Sequence, residues 1–353
     1  MVRLVRGDRV LAAGDRFVLS ELILEALQRE ARGALEVSTL DLPWPVEPYG
    51  PVAEVEEASG TEEQMIEAVN SVEVVVTQLA PLTARVLEAA NNLRLVVCTR
   101  GGPVNVNVEA ASERGVAVCY APGRNAPAAA EYAVGLMLAA MRRIPEAHGS
   151  LSSGQWRGEF YAYEECGVEL DGATVGLVGF GAIGRRVARV LVAFGARVFV
   201  YDPFVDAADI EEAGGSSVEL DELLERSRVV SLHARLSPDT RGMIGAHEIS
   251  RMSRDSVLVN TARGGLLDYD ALCDALESGH LGAAALDVYP EEPVPEDSRI
   301  LKAPRLVLSP HIAGATKETA QRAARIAAEE VGRYVRGEQL LNVINSEAVG
   351  DLA

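Results

Sequence analysis

The chain has 353 residues, 48% of them hydrophobic and 24% charged, which suits a globular protein long enough for two domains. Its formal net charge of −19 argues against nucleic acid or an anionic membrane as partner, since either needs basic surface. A small anion is still admissible, because a pocket can be locally positive on an acidic protein.

No apolar run at Met1-Val-Arg-Leu-Val-Arg-Gly-Asp8 has signal-peptide length, and no later stretch is long enough to span a bilayer. Up to about residue 121, helix and strand signals alternate. Ser20–Ala31 reads as a helix with Ser20 as N-cap and Leu22, Ile23 and Leu27 on one face. Residues 41–51 form a proline-rich loop. Thr61–Asn70 opens with Thr-Glu-Glu-Gln, a capping box. Val72–Thr77, Leu93–Thr99 and Val116–Cys119 are strand candidates, separated by the helical stretches Thr83–Ala90 and Val108–Arg114. Such alternation predicts a parallel, doubly wound sheet.

Pro127–Arg143 follows as a long helix, apolar on more than one face, which predicts burial between domains or against another subunit. Ser150–Leu170 is more polar, carries Trp156, and is expected to be a loop packed on the partner. A second α/β run then offers six strands: Val175–Gly179, Arg197–Tyr201, Val229–His233, Ser256–Asn260, Ala283–Asp287 and Leu306–Ser309. Thr316–Arg336, long and amphipathic, closes the chain, and its position suggests a return to the first domain. Cys98, Cys119, Cys166 and Cys273 form no CxxC pair, so free thiols, no metal site and a cytoplasmic location are expected.

The most informative stretch is Thr174-Val-Gly-Leu-Val-Gly179-Phe-Gly181-Ala-Ile-Gly184. A buried strand runs into Gly-x-Gly-x-x-Gly, and Val187, Val190, Leu191 and Phe194 give the following helix one apolar face. One glycine permits the tight bend, one lets the backbone approach a pyrophosphate, and one lets helix pack on strand. The N–H groups and dipole of the helix start then favour phosphates. The next strand ends in Asp202, 18 residues beyond Gly184, where a carboxylate can accept from ribose hydroxyls and repel a 2′-phosphate. That combination predicts NAD.

Three more strand ends carry reactive groups: Arg263 in Asn-Thr-Ala-Arg-Gly-Gly, Glu292 after Ala-Leu-Asp287-Val-Tyr, and His311 in Ser-Pro-His-Ile-Ala-Gly-Ala-Thr. Each has a plainer reading, as a surface arginine, a solvated loop acid and a turn histidine. Together with a nicotinamide they suit oxidation of a hydroxy acid. The arginine fork anchors a carboxylate, the histidine moves the hydroxyl proton, and the glutamate favours the protonated imidazole.

These motifs, with Arg100-Gly-Gly-Pro-Val-Asn105, Glu131-Tyr, Gly154-Gln-Trp156 and His233-Ala-Arg-Leu-Ser-Pro-Asp-Thr-Arg-Gly, resemble the NAD-dependent D-2-hydroxyacid dehydrogenases over almost the whole chain. The likeness is nearest to the phosphoglycerate dehydrogenase-like branch. It implies an α/β architecture of two doubly wound domains. A Rossmann cofactor domain, 122–314, is inserted into a discontinuous flavodoxin-like substrate domain, 1–121 and 315–353. It implies that Arg263 binds substrate, Glu292 pairs with His311, and His311 is the general acid/base. The implied cofactor set is Gly179, Gly181, Ala182, Ile183, Gly184, Asp202, His233, Ala234, Thr261, Ala262, Arg263, Asp287, His311 and Gly314. Substrate would meet Arg100, Gly101, Gly102, Arg263 and His311.

The expected substrate is a small anionic 2-hydroxy or 2-keto acid, and the expected assembly a homodimer through the cofactor domain. The sequence departs from the family pattern at the substrate loop. Arg100 replaces a glycine and Val104 an aspartate, and Cys98 stands where phosphoglycerate enzymes often have arginine. Arg100 could add charge for a larger anion. No regulatory domain is expected beyond residue 353. Two competing readings are an NAD(H)-sensing corepressor of the same fold and a formate- or phosphite-oxidising relative. Formate enzymes of this family pair their histidine with glutamine, whereas this chain has Glu292.

Overall fold

The computed structural model describes residues 8–31 and 35–350. The chain divides into two compact units, Met1–Arg124 with Ala315–Ala353, and Asn125–Gly314. The division falls three residues beyond the expected 121/122.

Unit 1 holds β1 (Asp8–Gly14), α1 (Ser20–Ala31), β2 (Leu35–Asp41), β3 (Gly50–Val52), β4 (Val55–Ala58), α2 (Glu62–Ala68), β5 (Val74–Thr77), α3 (Ala84–Ala89), β6 (Leu95–Cys98), α4 (Val108–Glu113) and β7 (Ala117–Cys119). Its sheet runs β2-β1-β5-β6-β7 with every pairing parallel, and β3-β4 is a separate antiparallel pair. Period-two alternation sorts the strand residues onto two faces. Leu11, Val75, Val96 and Val118 pack with Met65, Val69, Val86 and Leu87 of the α2–α3 side. Val10, Val74, Val76, Leu95 and Val97 pack with Ile23 and Leu27 of α1.

Four strands of unit 1, β1 to β4, were not among the sequence candidates, and β3 begins inside the expected proline-rich loop. Ser20 is the first helical residue rather than a cap, and its hydroxyl donates to Asp41 Oδ1 at 2.5 Å. The α2 capping box is present as expected, with Thr61 Oγ1 accepting from Gln64 N.

Unit 2 begins with α5 (Ala126–Met141) and α6 (Ile144–Ser152), which break at Arg143, a non-glycine residue with φ 54°. It continues through β8 (Thr174–Val178), α7 (Gly184–Ala193), β9 (Arg197–Tyr201), α8 (Ala207–Glu212), β10 (Gly215–Ser217), α9 (Leu220–Arg226) and β11 (Val229–Leu232). Then come α10 (Ala246–Arg251), β12 (Val257–Asn260), α11 (Tyr269–Glu277), β13 (Ala283–Leu286) and β14 (Leu306–Leu308). The order β10-β9-β8-β11-β12-β13-β14 is all parallel and is the Rossmann order with one added edge strand. Seven strands replace the expected six. β10 is too short and polar to register as a hydrophobic run.

The apolar faces of α5 have a local explanation. Val134, Met137 and Met141 are buried with Val175, Leu177, Leu191, Val259 and Ala285 in the core of unit 2 itself. The opposite face of the sheet packs Leu223, Leu224, Val230, Leu258, Leu272 and Leu286. Each such side chain contributes roughly 1.5–3 kcal/mol when removed from water, so burial on both faces stabilises the sheet.

After unit 2 the chain re-enters unit 1 with α12 (Lys317–Arg336) and α13 (Ser346–Val349). Thr316 caps α12 by accepting from Thr319 N. Ala320, Ala323, Ala324, Ala327 and Val331 make one small-residue face that joins the Ile23–Leu27 core. At Gly332 an added Cβ would lie 2.5 Å from Glu30 Cγ, so α1 and α12 lie in close packing there. Among the described residues no helix is long and apolar enough to cross a membrane.

Candidate active site

Gly179, Asp202, His233, Thr261, Asp287 and Ser309 each follow directly on a strand of the unit 2 sheet, so parallel pairing brings them to one edge. In open α/β sheets ligands lie beyond this carboxyl edge, at the point where strand order reverses. Here that point is between β8 and β11. Gly179, at φ 101°, sits there with no room for a side chain, since a Cβ would meet Ala234 N at 2.5 Å. Gly184 is equally confined, 2.3 Å from Gly179 O by the same test, while Gly181 faces open space. Ala182 is exposed, Ile183 half-buried, and α7 begins at Gly184. Asp202 closes the turn, its Oδ2 accepting from Phe180 N at 2.7 Å and its Oδ1 from Phe204 N at 2.9 Å.

The rest of this edge is also shaped for a ligand. Burial lowers the His233 imidazole to about 4, so it is neutral near pH 7, with Nε2 2.9 Å from Ser231 Oγ. The Thr261 hydroxyl is buried without a partner among the described residues. Native structures rarely leave such a group unsatisfied, and a hydrogen-bonding ligand is one resolution. An open glycine, a helix start and an orphaned hydroxyl on one edge fit a dinucleotide.

The reactive residues follow on the next strands. Asn260 fixes the turn after β12, with Oδ1 accepting from Ala262 N and Nδ2 donating to Arg263 O. Ala262 is buried, and the exposed Arg263 side chain donates to Ala262 O at 2.7 Å. Arg263 forms no ion pair with a carboxylate among the described residues, which leaves most of its fork available.

Beyond β13 and β14, His311 Nδ1 lies 2.6 Å from Glu292 Oε2, and Glu292 Oε1 accepts from Tyr289 N at 2.9 Å. The bond to Glu292 holds the His311 imidazole above its ordinary 6.5, against the opposing effects of burial and of Arg263. For Glu292, burial alone would raise the carboxyl. His311, the Tyr289 N–H and Arg263 outweigh it and leave the group lowered.

The sequence did not disclose what holds this pair. His311 has φ 54°, a left-handed backbone that costs a non-glycine residue on the order of 1–3 kcal/mol unless its surroundings enforce it. Asp287 supplies the enforcement. Fully buried, it accepts from Ser309 Oγ at 2.6 Å, Ile312 N at 2.9 Å and Ala313 N at 2.8 Å, clamping the chain on both sides of His311. Tyr289 adds a bond from its hydroxyl to Ser309 O at 2.8 Å. Gly314 ends the segment beside Asn125.

Residues 134–313 match the family model described as D-isomer specific 2-hydroxyacid dehydrogenase, NAD binding domain. A glyoxylate reductase of Korarchaeum cryptofilum is 39% identical over 295 residues, covering 83% of this chain and 89% of the relative. The chain belongs to the D-isomer specific 2-hydroxyacid dehydrogenase family. This dehydrogenase-family chain is also 39% identical over 297 residues to a D-3-phosphoglycerate dehydrogenase of Methanocaldococcus jannaschii, covering 83% of itself but only 56% of that relative. Among solved structures it is similar to the NAD-dependent formate dehydrogenase from Staphylococcus aureus in complex with NAD. The TM-score is 0.75 at 28% identity, over 95% of this chain and 98% of that one. NAD is its cofactor.

The Arg100-Gly101-Gly102 loop belongs to unit 1, after β6. Arg100 pairs with Glu57, and a Cβ on either glycine would meet nothing within 4 Å.

Proposed function

We propose that the protein catalyses reversible NAD-dependent oxidation of a D-2-hydroxy acid to the 2-keto acid, with Arg263, Glu292 and His311 as its working residues. The Glu292–His311 hydrogen bond of 2.6 Å carries this reading. When bound, NAD exchanges a hydride with the substrate C2 through its nicotinamide.

Because Nδ1 of His311 faces Glu292, Nε2 is left to exchange the proton on the substrate oxygen. In reduction, the imidazolium donates that proton as C2 gains hydride. In oxidation, the neutral ring removes it, and Glu292 stabilises the cation that results. Arg263 offers paired N–H donors to the substrate carboxylate, and its charge favours electron density building on the neighbouring oxygen.

Purified protein with NADH is expected to reduce at least one of glyoxylate, hydroxypyruvate, phosphohydroxypyruvate and pyruvate, followed at the NADH absorbance. A folded, NADH-binding protein that reduces none of them would sink this reading. Assembly as a homodimer through unit 2 is part of it. Trp156, Tyr161 and Tyr163 are 83%, 93% and 89% exposed there, a concentration of aromatic surface that favours a protein partner. Sedimentation equilibrium at micromolar protein is expected to give twice the chain mass.

A further inference from the structure

Tyr269 is the first residue of α11 and supplies no reacting group. Asp268 caps the helix there, accepting from Asp270 N and Ala271 N. The Tyr269 side chain is buried in the core of unit 2 with Leu266, Leu272 and Tyr289. A buried tyrosine needs a partner for its hydroxyl. Here the proton has one destination. Asn260 Oδ1 accepts from Ala262 N, so the Nδ2 that lies 3.4 Å from the Tyr269 hydroxyl is a donor. The single hydrogen of the hydroxyl therefore goes to Val288 O, at 2.7 Å. Burial, foremost, raises the phenol above its ordinary 10, so it remains a donor at neutral pH.

The carbonyl it meets belongs to the segment that holds Glu292. Val288 C=O and Tyr289 N–H are the two ends of one planar peptide unit. The N–H end donates to Glu292 Oε1 at 2.9 Å, and Glu292 Oε2 lies 2.6 Å from His311 Nδ1. Three hydrogen bonds thus run in series, from the Tyr269 hydroxyl through the peptide to the carboxylate and on to the imidazole. A peptide that accepts at its oxygen is a stronger donor at its nitrogen, and a rigid plane held at one end resists rotation at the other. Val288 is 1% exposed, so bulk water does not take the place of the hydroxyl. Asn260 Nδ2 also donates to Arg263 O at 3.0 Å, which puts the same hydroxyl beside the turn that carries Arg263.

We infer that Tyr269 is a positioning residue, holding the Glu292 carboxylate against His311 through the 288–289 peptide unit. This rests on the roles given above to Glu292 and His311. Glu292 acts most strongly on the His311 ring and raises it; burial and Arg263 oppose it, and Asp287 adds to it. The Glu292 carboxyl itself is lowered, so near neutral pH it is ionised, and loosening its bond to Tyr289 N changes its position rather than its charge. A carboxylate drawn away from Nδ1 stabilises the imidazolium less.

The test is Tyr269→Phe, which keeps the ring and deletes the hydroxyl. In NADH-driven reduction its kcat should fall by about threefold to tenfold, the range of one hydrogen bond, with the Kd for NADH unchanged. The pH at which kcat/KM falls should move down in Tyr269→Phe, and should not move when the same change is added to Glu292→Ala. An unmoved or raised midpoint in Tyr269→Phe would overturn the inference, whatever happens to kcat. An equal shift in the Glu292→Ala background would also overturn it, because Tyr269 would then not act through Glu292.

If no acid is reduced, the proposed reaction fails, and the hydrogen-bond series is judged without turnover. In protein carrying isotope-labelled histidine, the resonance missing from His311→Ala identifies His311 among the five histidines. Its titration by nuclear magnetic resonance should have a lower midpoint in Tyr269→Phe than in the wild type, and coincident titrations would overturn the inference. Where thermal unfolding shows that Tyr269→Phe does not fold, Tyr269→Leu is read by the same criteria.

Discussion

Replacing His311 with alanine is expected to lower kcat by about 10²–10⁴-fold, the usual contribution of a positioned acid or base. The Kd for NADH, read by fluorescence titration, should change far less. The expectation follows from the position of the ring, whose Nδ1 is 2.6 Å from Glu292 and whose Nε2 is the remaining atom able to exchange a proton. Near-normal turnover in His311→Ala would remove the mechanism.

Glu292→Gln tests the same pair through pH. In the wild type the imidazole is raised from 6.5, chiefly by its bond to Glu292. Reduction needs the imidazolium, so its kcat/KM should hold at low pH and fall as pH rises through the raised value. Oxidation needs the neutral ring and should rise across the same interval. The glutamine side chain keeps an acceptor but loses the charge, while burial and Arg263 still act downward. Both limbs should therefore move to lower pH in Glu292→Gln. Coincident pH profiles for wild type and variant would show that Glu292 does not tune His311.

How much of this site could be read from residues alone varies with sequence distance. The glycine turn and Asp202 were legible because strand, turn and helix lie within one short βαβ stretch. The glycine spacing itself encodes the steric facts found at Gly179 and Gly184. Arg263, Glu292 and His311 were legible as strand-end residues. Their support was not: Asp287 bonds to residues 309–313, more than twenty positions away, and its motif alone implied only a cofactor contact. Among the strands, β1 escaped notice because two of its four buried apolar residues, Ala12 and Ala13, are alanines, which carry little strand signal. β10 is three residues long and is defined by pairing with β9 rather than by its own composition.

Gly264→Ala and Gly265→Ala should differ sharply although they are adjacent in Arg263-Gly-Gly. At Gly264 a Cβ would lie 1.9 Å from Tyr289 O, 2.3 Å from Tyr289 C and 2.9 Å from Pro290 N, all backbone atoms. Nothing there can move without shifting the segment between β13 and Glu292. Overpacking of this kind typically costs about 1–3 kcal/mol and can cost more. The displaced segment carries the Tyr289 N–H that holds Glu292, and Glu292 in turn holds His311. Gly264→Ala should therefore lower both Tm and kcat, even though residue 264 supplies no reactive group. At Gly265 the nearest atoms are Leu236 Cδ2 at 2.9 Å, Leu236 Cδ1 at 3.0 Å and Arg241 Nη1 at 3.3 Å, the ends of side chains that can rotate away. Gly265→Ala should unfold close to the wild-type temperature and keep most of its turnover. Calorimetric unfolding and steady-state kinetics on the two variants decide it. Equal losses would mean that the 263–264 turn is not seated on the Tyr289–Pro290 backbone, and the link from Arg263 through that backbone to Glu292 would fall with it.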